Sequence, residues 1–344
     1  MARLGLAYDL RLPGLTPEQR ARQYRTCLEQ VEWADRVGIG QVALREHHGS
    51  DDGYLPSPLV LGGAVAARTS SLTIHLQALV VTLHDPVRLA EDLAVLDLIS
   101  GGRLVVTVGA GYDPNEHAMF GRSFDQRPAD VERAFTTLRK AWTGEKFELD
   151  GRPVRVTPQP YQDPGPALLL GGASAAAARR AARIADGFLP VRDRFYAAYR
   201  SAVVELGQPD PGPLAKAGPL FVYVAEDPDR AWQEIGPYCL HESNAYAALA
   251  RASGLRTGFT AYPDIDALRS SGQYPIYTPD ELVALCRQWG DESRVTIPPL
   301  AGGMPPELSW RSLELIADRV VPRITARPSP PASFRTSSPT GVIA

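Results

Sequence analysis

Four clusters of residues that could bind or transform a ligand each lie at or near the end of a short apolar run. The clusters are Glu46-His47-His48 after residues 41–45, Gln77-Ala78 within residues 72–81, Gly109-Ala110-Gly111-Tyr112 at the end of residues 103–109, and Gly171-Gly172-Ala173-Ser174 after residues 167–170. In parallel α/β proteins the carboxyl ends of the strands share one edge, and the loops there carry the ligand-binding residues. If each apolar run is a strand, the four clusters lie together on that edge.

The Glu46-His47-His48 cluster offers acid–base chemistry. Imidazole titrates near neutral pH, so His47 or His48 could act as a general base or stabilise a developing negative charge. Adjacent histidines point in different directions, and such a pair is also common as a hydrogen-bonded loop element. A metal site that adds Asp51 and Asp52 is less favoured, because consecutive residues rarely reach one ion together.

The Gly171-Gly172-Ala173-Ser174 cluster has the form of a phosphate-binding turn. Two glycines at a strand end let the backbone approach a ligand, and the first N–H groups of the following helix favour an anion. The Ser174 hydroxyl adds a donor. A plain helix cap after a tight turn explains the same residues equally well. No lysine of the P-loop type follows, which argues against nucleoside triphosphates.

Other candidate residues carry weaker signals. The isolated histidines are predicted to be structural or surface residues; they are His75, His84, His117 and His241. The segment Gly302-Gly303-Met304 is either a ligand contact or a turn. The sequence contains no Gly-x-Ser-x-Gly elbow, no His-Glu-x-x-His and no paired-cysteine redox motif, so those chemistries lose support.

Apolar runs alternate with helical patterns along the chain, which predicts parallel strands covered by helices. The predicted strands are residues 3–8, 41–45, 72–81, 103–109, 167–170, 187–190, 219–225 and 294–298, with a hairpin at 147–156. Eight such units favour a (β/α)8 TIM barrel, one α/β domain over residues 1–324, with an insertion near 236–277 where the periodicity weakens. Residues 325–344 are rich in Pro and Ser and lack carboxylates, so we expect a disordered tail.

Composition narrows the class of protein. The 344 residues carry 36 Lys and Arg against 39 Asp and Glu, a net charge of −3, which argues against nucleic acid or an anionic membrane as the main partner. Three widely spaced cysteines make a disulfide framework or a cysteine-based metal site improbable. The absence of an apolar leader or of a run of about 20 apolar residues favours a soluble cytoplasmic protein.

Several longer segments together resemble the bacterial luciferase-like flavin monooxygenases. They are Arg45-Glu46-His47-His48, HDPVRLAEDLAVLDLISGGR from His84 to Arg103, GYDPNEHAMFG, and LLLGGASAAAARRAARIADGF. The similarity covers residues 3–188 well and resumes loosely at FVYVAEDPDRA and YTPDELVALCRQ.

The resemblance implies a TIM barrel that binds reduced FMN, usually supplied by a separate flavin reductase, and a homodimer formed through helices near the start of the barrel. His47 is then the candidate base, supported by Glu46 and His48, and Gln77-Ala78 matches a non-proline cis peptide beneath the flavin ring. Gly109, Ala110 and Tyr112 match the neighbouring rim. The phosphate site matches Gly171 to Ser174, with Arg127 as a cationic partner. All these roles are expectations from the resemblance.

Departures from the family pattern limit the function. Bacterial luciferase carries Cys-Arg where this chain has Gly109-Ala110, which argues against light emission. The leading hypothesis is an FMNH2- and O2-dependent monooxygenase acting on a small or medium organic substrate. The alternatives are an oxidoreductase that transfers hydride with the 8-hydroxy-5-deazaflavin coenzyme, and a non-catalytic flavin-binding companion subunit.

Overall fold

The computed structural model describes residues 3–215, 218–252, 260–290 and 293–324. Its strands are β1 (Arg3–Tyr8), β2 (Gln41–Leu44), β3 (Thr73–Val80), β4 (Leu104–Gly109), β5 (Phe147–Leu149), β6 (Arg152–Val154), β7 (Ala167–Gly172), β8 (Gly187–Pro190), β9 (Tyr223–Val224), β10 (Ile276–Tyr277) and β11 (Arg294–Ile297). Its α-helices are α1 (Pro17–Val37), α2 (Pro58–Arg68), α3 (Pro86–Ser100), α4 (Pro114–Met119), α5 (Arg127–Ala141), α6 (Ala175–Ile184), α7 (Arg194–Glu205), α8 (Pro228–Ala252), α9 (Ile265–Ser270), α10 (Pro279–Trp289), α11 (Pro306–Leu315) and α12 (Val321–Ile324).

Seven of these strands form one curled, wholly parallel sheet in the order β11-β1-β2-β3-β4-β7-β8. Helices follow the strands, and residues such as Leu6, Val42 and Val106 bury the sheet in a continuous core. This confirms the predicted α/β fold of the TIM-barrel type. Because the strands are parallel, their carboxyl ends meet at one edge, which we call the rim.

The seventh predicted strand, residues 219–225, differs from the expectation. Only Tyr223–Val224 is extended, and it pairs in parallel with β10 instead of with the main sheet. The N–H of Val224 donates to the hydroxyl of Ser312 on α11 at 2.8 Å. This backbone group therefore bonds to a helix side chain and not to a strand of the main sheet. Val222 and Val224 nevertheless pack in the main core, so β9 lies against the same core as the seven-stranded sheet.

Helix α8 occupies much of the region in which the sequence predicted an insertion. It runs from Pro228 through Gly236 and Pro237 to Ala252. One face is buried along the whole length, through Ile235, Cys239, Glu242 and Tyr246. The polar members of this face hide the helical periodicity, because hydropathy alone does not show a buried carboxylate. The limits of the insertion at 236–277 stay a prediction, and the predicted disorder of residues 325–344 lies outside the described residues.

Local signals place the shorter elements well. Thr16 caps α1 with a full capping box, and Thr278 does the same for α10. The predicted hairpin is the β5–β6 pair, turned at Asp150-Gly151. The three cysteines are free and buried. In the described part of the chain, no helix has both the length and the apolar character that crossing a membrane requires.

His75 gives the fold a testable dependence on pH. Its ring lies buried between β3 and β4, with Nε2 2.7 Å from the Thr107 hydroxyl, and burial together with the charge of Arg294 lowers its pKa to about 3. Between pH 6.5 and 3 the unfolded chain binds a proton that the folded chain does not. Folding should therefore lose about 1.4 kcal/mol per pH unit through this group as the pH falls below 6.5.

We expect His75→Gln to reduce that acid sensitivity, measured as the free energy of urea unfolding from pH 7 to pH 4.5. Thr107→Val is the matched control, because it removes the hydrogen-bond partner but keeps the titrating ring, and its pH slope should equal that of the unmodified protein. Parallel curves for His75→Gln and the unmodified protein would contradict the assignment.

Candidate active site

His47 lies directly after β2 on the rim, with both ring nitrogens engaged. Nδ1 is 2.7 Å from Oε1 of Glu116, and Nε2 is 2.7 Å from the Tyr112 hydroxyl. The ring is 6 % exposed, and Tyr54 and Tyr112 meet it edge to face at 4.8 and 5.0 Å. A carboxylate at Nδ1 fixes the proton there, so Nε2 carries the lone pair that accepts from Tyr112.

Glu116 is the member of this site that sequence reasoning missed. It lies on α4, whose start is capped by Asp113, and its Oε1 also accepts the backbone N–H of His48 at 2.8 Å. Its Oε2 is buried without a hydrogen-bond partner. Glu116 belongs to the GYDPNEHAMFG segment, but its distance of 69 residues from His47 gave no sign that the two side chains meet.

Glu46 is the centre of a second buried network. Oε2 accepts the Val80 N–H at 2.6 Å, while Oε1 lies 2.9 Å from His48 Nε2 and 3.3 Å from His84 Nε2. Burial alone would raise the pKa of the Glu46 carboxyl, but the hydrogen bonds of His48 and His84 outweigh it and lower the pKa. His84, predicted to be an isolated structural or surface histidine, therefore touches the candidate catalytic cluster.

The Gln77–Ala78 peptide bond is cis, as the resemblance implied. The pairing of β3 with β4 shifts register between Gln77 and Leu79, just before the Val80 N–H that Glu46 holds. A Cβ at Gly109 would lie 3.1 Å from the Cβ of Ala78, so glycine lets β4 approach this bulge closely. These residues lie on the rim where β3 and β4 end, and Glu46 links them to the loop that carries His47.

Gly171 and Gly172 end β7, and Ser174 caps α6. The Ser174 hydroxyl accepts the Ala177 N–H at 3.1 Å, so Ser174 acts as a helix cap, one of the two roles that the sequence predicted. The same geometry leaves the first N–H groups of α6 without intrahelical partners, and the first turn contains no carboxylate. Ser174 is exposed, so an anion could reach this helix end.

Ala110 and Arg127 organise the loop after β4. The carbonyl of Ala110 accepts from the Thr82 hydroxyl at 3.1 Å. Arg127 donates to the carbonyls of Gly111 at 2.8 Å and Phe124 at 2.5 Å, and its guanidinium lies over the Phe124 ring. Both guanidinium contacts hold the loop, so the role of Arg127 as a cation for phosphate stays a prediction.

Three other predicted features take structural places. His117 is fully buried between the Asp113 carbonyl and the Thr82 hydroxyl, and His241 contacts Asp52. Gly302 lies in a 3-10 turn against α8, where a Cβ would collide with the carbonyl of Tyr238. Among the residues that the structure describes, no group of three or more His, Cys, Asp and Glu side chains could hold a metal ion.

The rim therefore offers a place for a planar ring with a phosphate tail. Gly109 carries no side chain where β4 approaches the Ala78 methyl, and the first turn of α6 has N–H groups without intrahelical partners. Oε2 of Glu116 is a buried hydrogen-bond acceptor without a partner, and it lies on the carboxylate that contacts His47. Since β2, β3, β4 and β7 are parallel neighbours, all four clusters lie at the same end of the molecule.

Known proteins are similar to this chain in both fold and sequence. The monooxygenase RslO1 of Streptomyces bottropensis superposes with a TM-score of 0.75 and 27 % identity, covering 94 % of this chain and 100 % of that chain. The oxygenating constituent of 3,6-diketocamphane monooxygenase of Pseudomonas putida, in complex with FMN, gives 0.71 and 21 %, over 94 % and 99 % of the two chains.

Curated relatives match a shorter region. The F420-dependent glucose-6-phosphate dehydrogenase of Amycolatopsis mediterranei is 29 % identical over 177 residues, 48 % of this chain and 53 % of that protein. The chain spans about half the length of the curated relatives it matches. The sequence profile described as luciferase-like monooxygenase matches residues 10–296. The chain belongs to the luciferase-like monooxygenase family.

Proposed function

We propose that the protein is a flavin-dependent monooxygenase that binds reduced FMN on the rim and uses O2 to oxidise a small or medium organic molecule. The observation that carries the proposal is the Glu116–His47–Tyr112 chain, with both links at 2.7 Å and with Glu116 and His47 buried, on the rim that also carries the cis Gln77–Ala78 bond. The fold relative that contains FMN and the family match support the same conclusion.

Reduced FMN, when bound, supplies the electrons that activate O2. The Gly171–Ser174 turn would hold its phosphate, and Gln77, Ala78 and Gly109 would lie beneath its ring. Glu116 holds the Nδ1 proton of His47, so Nε2 can accept a proton passed through the Tyr112 hydroxyl and later return it. His48 and Glu46 support this arrangement. The backbone of His48 binds Glu116, and the ring of His48 lies 2.9 Å from Glu46.

The protein surroundings keep this proton chain away from water. The rings of Tyr54 and Tyr112 flank His47, and Phe120 meets His48 at 4.7 Å. Burial raises the pKa of the Tyr112 hydroxyl, so Tyr112 stays protonated and able to donate at neutral pH. A site with little water strengthens these hydrogen bonds and limits side reactions.

Binding and reoxidation measurements separate the leading cofactor from the alternative. The family also contains proteins that use F420, the 8-hydroxy-5-deazaflavin coenzyme. Without oxygen, we expect the protein to retain reduced FMN more tightly than reduced F420, and riboflavin at least about tenfold more weakly than FMN because it lacks the phosphate. On mixing with aerated buffer, bound FMN should reoxidise at a rate that differs from that of free FMN.

Preferential retention of reduced F420 would replace the FMN proposal with deazaflavin-dependent hydride transfer. Equal binding of riboflavin and FMN would contradict the phosphate role of the Gly171–Ser174 turn. Tight flavin binding without turnover, across a panel of aldehydes, ketones and sulfides supplied with a flavin reductase, would indicate the non-catalytic companion subunit instead.

His47→Ala tests the proposed base. The variant should lower turnover at least about 100-fold, the usual size of a positioned general base, while the affinity for reduced FMN changes less than about threefold. Turnover is measured with a separate flavin reductase, which we propose as the electron donor in a cytoplasmic setting. His75→Gln is the control, because the ring of His75 contacts Thr107 and Gln41 within the sheet and not the proton chain. Equal losses of turnover and flavin affinity would argue against a proton role.

We also propose a homodimer formed through α2 and α3. Val60 on α2 is 75 % exposed, and Val95, Leu98 and Ile99 on α3 are 41–50 % exposed. The two helices pack closely, with a Cβ at Gly62 only 3.2 Å from Leu96, so these residues form one apolar surface. Such a surface on neighbouring helices is typical of an interface between subunits.

In sedimentation velocity, the unmodified protein should behave as a dimer and Ile99→Glu should behave as a monomer, because a buried unpaired carboxylate opposes association. Val204→Glu is the matched control: Val204 on α7 is 52 % exposed but lies on another helix, so this variant should stay dimeric. A monomeric unmodified protein at micromolar concentration would refute the interface.

A further inference from the structure

The His47 ring has a third neighbour besides Glu116 and Tyr112, namely the ring of Tyr54. The centroids of the two rings are 4.8 Å apart, and their planes are nearly perpendicular, at 89°. Tyr54 is 3 % exposed and lies in the same loop after β2. An edge-to-face contact of this kind favours one relative orientation of the two rings. The orientation of the imidazole therefore depends on what holds the Tyr54 ring.

The backbone places Tyr54 beside His47. The N–H of His47 donates to the Leu55 carbonyl at 3.3 Å, and the N–H of Leu55 donates to the Asp9 carbonyl at 2.7 Å. These two bonds join the loop after β2 to itself and to the chain that leaves β1. They fix the backbone at Tyr54, but the side chain can still rotate, so the ring needs contacts of its own.

Arg11 supplies such a contact. Its guanidinium carbon lies 4.6 Å from the centroid of the Tyr54 ring and 4.5 Å from the centroid of the Tyr246 ring. The hydroxyls of the two tyrosines lie 2.9 Å apart. A guanidinium is attracted to an aromatic face, and the attraction is stronger where water is excluded. Arg11 is 1 % exposed, so solvent weakens this attraction little.

Two carboxylates hold Arg11 in turn. Nη1 binds Asp52 at 2.5 Å, and Nε lies 3.3 Å from Asp9. Burial would raise the pKa of the Asp52 carboxyl, but the hydrogen bond of His241 and the charge of Arg11 lower it, so Asp52 is ionised at neutral pH. The ion pair therefore keeps the guanidinium in place against the Tyr54 ring.

The hydrogen bonds of Arg11 show that ion pairing is not its whole role. Within the described residues, its Nε and Nη2 atoms are buried without a hydrogen-bond partner. A guanidinium has five N–H donors, and one that served only Asp9 and Asp52 would direct more of them to the carboxylates, as in a bidentate pair. The rings of Tyr54 and Tyr246 stabilise the rest of the group, which favours a role in holding the rings.

We propose that Tyr54 and Arg11 are positioning residues for His47. The ion-paired guanidinium keeps the Tyr54 ring in place, and this ring keeps the imidazole turned so that each nitrogen faces its own partner in the proton chain. The role of His47 as a base rests on the proposed function, whereas the positioning is a property of the protein without cofactor. Tyr54 meets the imidazole through its ring and bonds to Tyr246 through its hydroxyl, so it orients His47 without exchanging a proton with it.

The test observes the His47 ring in the cofactor-free protein by NMR of 15N-labelled histidine, at about pH 9, where imidazole is ordinarily neutral. The His47 signals are assigned by their loss in His47→Gln. In the unmodified protein the two ring nitrogens should differ strongly in chemical shift, because Glu116 keeps the proton on Nδ1.

In Tyr54→Leu, the two shifts should approach each other by at least about half of their separation, because a ring that can turn shares its proton between both nitrogens. Tyr54→Phe should restore the separation, since it keeps the ring and loses only the hydroxyl. Turnover in Tyr54→Leu should fall at least about tenfold, while the affinity for reduced FMN changes less than about threefold, because a small misplacement of a reacting group is costly.

Arg11→Lys tests the stacking separately from the charge. Lysine keeps the positive charge that Asp9 and Asp52 require, but its ammonium group lacks the planar shape that stacks on the two rings. The His47 shifts should therefore move in the same direction as in Tyr54→Leu.

Tyr223→Leu is the matched control, since Tyr223 is another buried tyrosine, with its hydroxyl on the Leu308 carbonyl. This variant loses a ring elsewhere and should leave the His47 shifts unchanged. Unchanged His47 shifts in Tyr54→Leu or in Arg11→Lys, with the variant folded by circular dichroism, would overturn the proposal for the residue concerned. Should Tyr54→Leu fail to fold, Arg11→Lys decides. An equal shift change in Tyr223→Leu would also contradict the proposal.

The two proposals can fail separately. His47 shifts that depend on Tyr54, together with no retention of reduced FMN, would remove the proposed function and leave the positioning in place. Retention of FMN with turnover, and with His47 shifts indifferent to Tyr54, would do the reverse.

Discussion

One carboxylate oxygen, Oε1 of Glu116, joins the loops after β2 and β4 into a single structure. It accepts from the His47 ring and from the backbone of His48, so it fixes both the tautomer of one histidine and the path of the chain through the next. Together with the edge-to-face rings of Tyr54 and Tyr112, this bridge holds the His47 ring in line with the Tyr112 hydroxyl. The contact is short and buried, where a charge-assisted hydrogen bond is strongest.

A second carboxylate, Glu46, does the equivalent work towards β3. It holds the Val80 N–H just beyond the cis peptide and the irregular pairing with β4, and it gathers His48 and His84 on its other oxygen. The two networks share His48, whose backbone binds Glu116 and whose ring binds Glu46. Three consecutive strands of the sheet are thus connected at the rim by side chains as well as by their backbone ladders.

Much of this arrangement was readable from the sequence. The positions of Glu46-His47-His48 and Gly171-Gly172 after apolar runs placed both on one edge, because parallel strands must end together. Turn residues such as Asp150-Gly151 placed the small hairpin. The contacts of Glu116 and His84 were not readable, since they join residues 38 and 69 positions apart through tertiary packing. The start of helix α8 near Asp227 was predicted, but its continuation past Gly236 was missed, because buried Glu242 breaks its apolar stripe.

The packing of α8 separates substitutions on this helix from substitutions in the loops that carry the candidate catalytic and phosphate-binding residues. Its buried face touches the rim through Tyr246, whereas the histidines and the glycine-rich turn belong to loops earlier in the chain. Substitutions along one helix face could therefore retune molecular recognition over evolutionary time and leave the redox machinery intact. The same barrel can in this way come to bind different molecules without a change of fold.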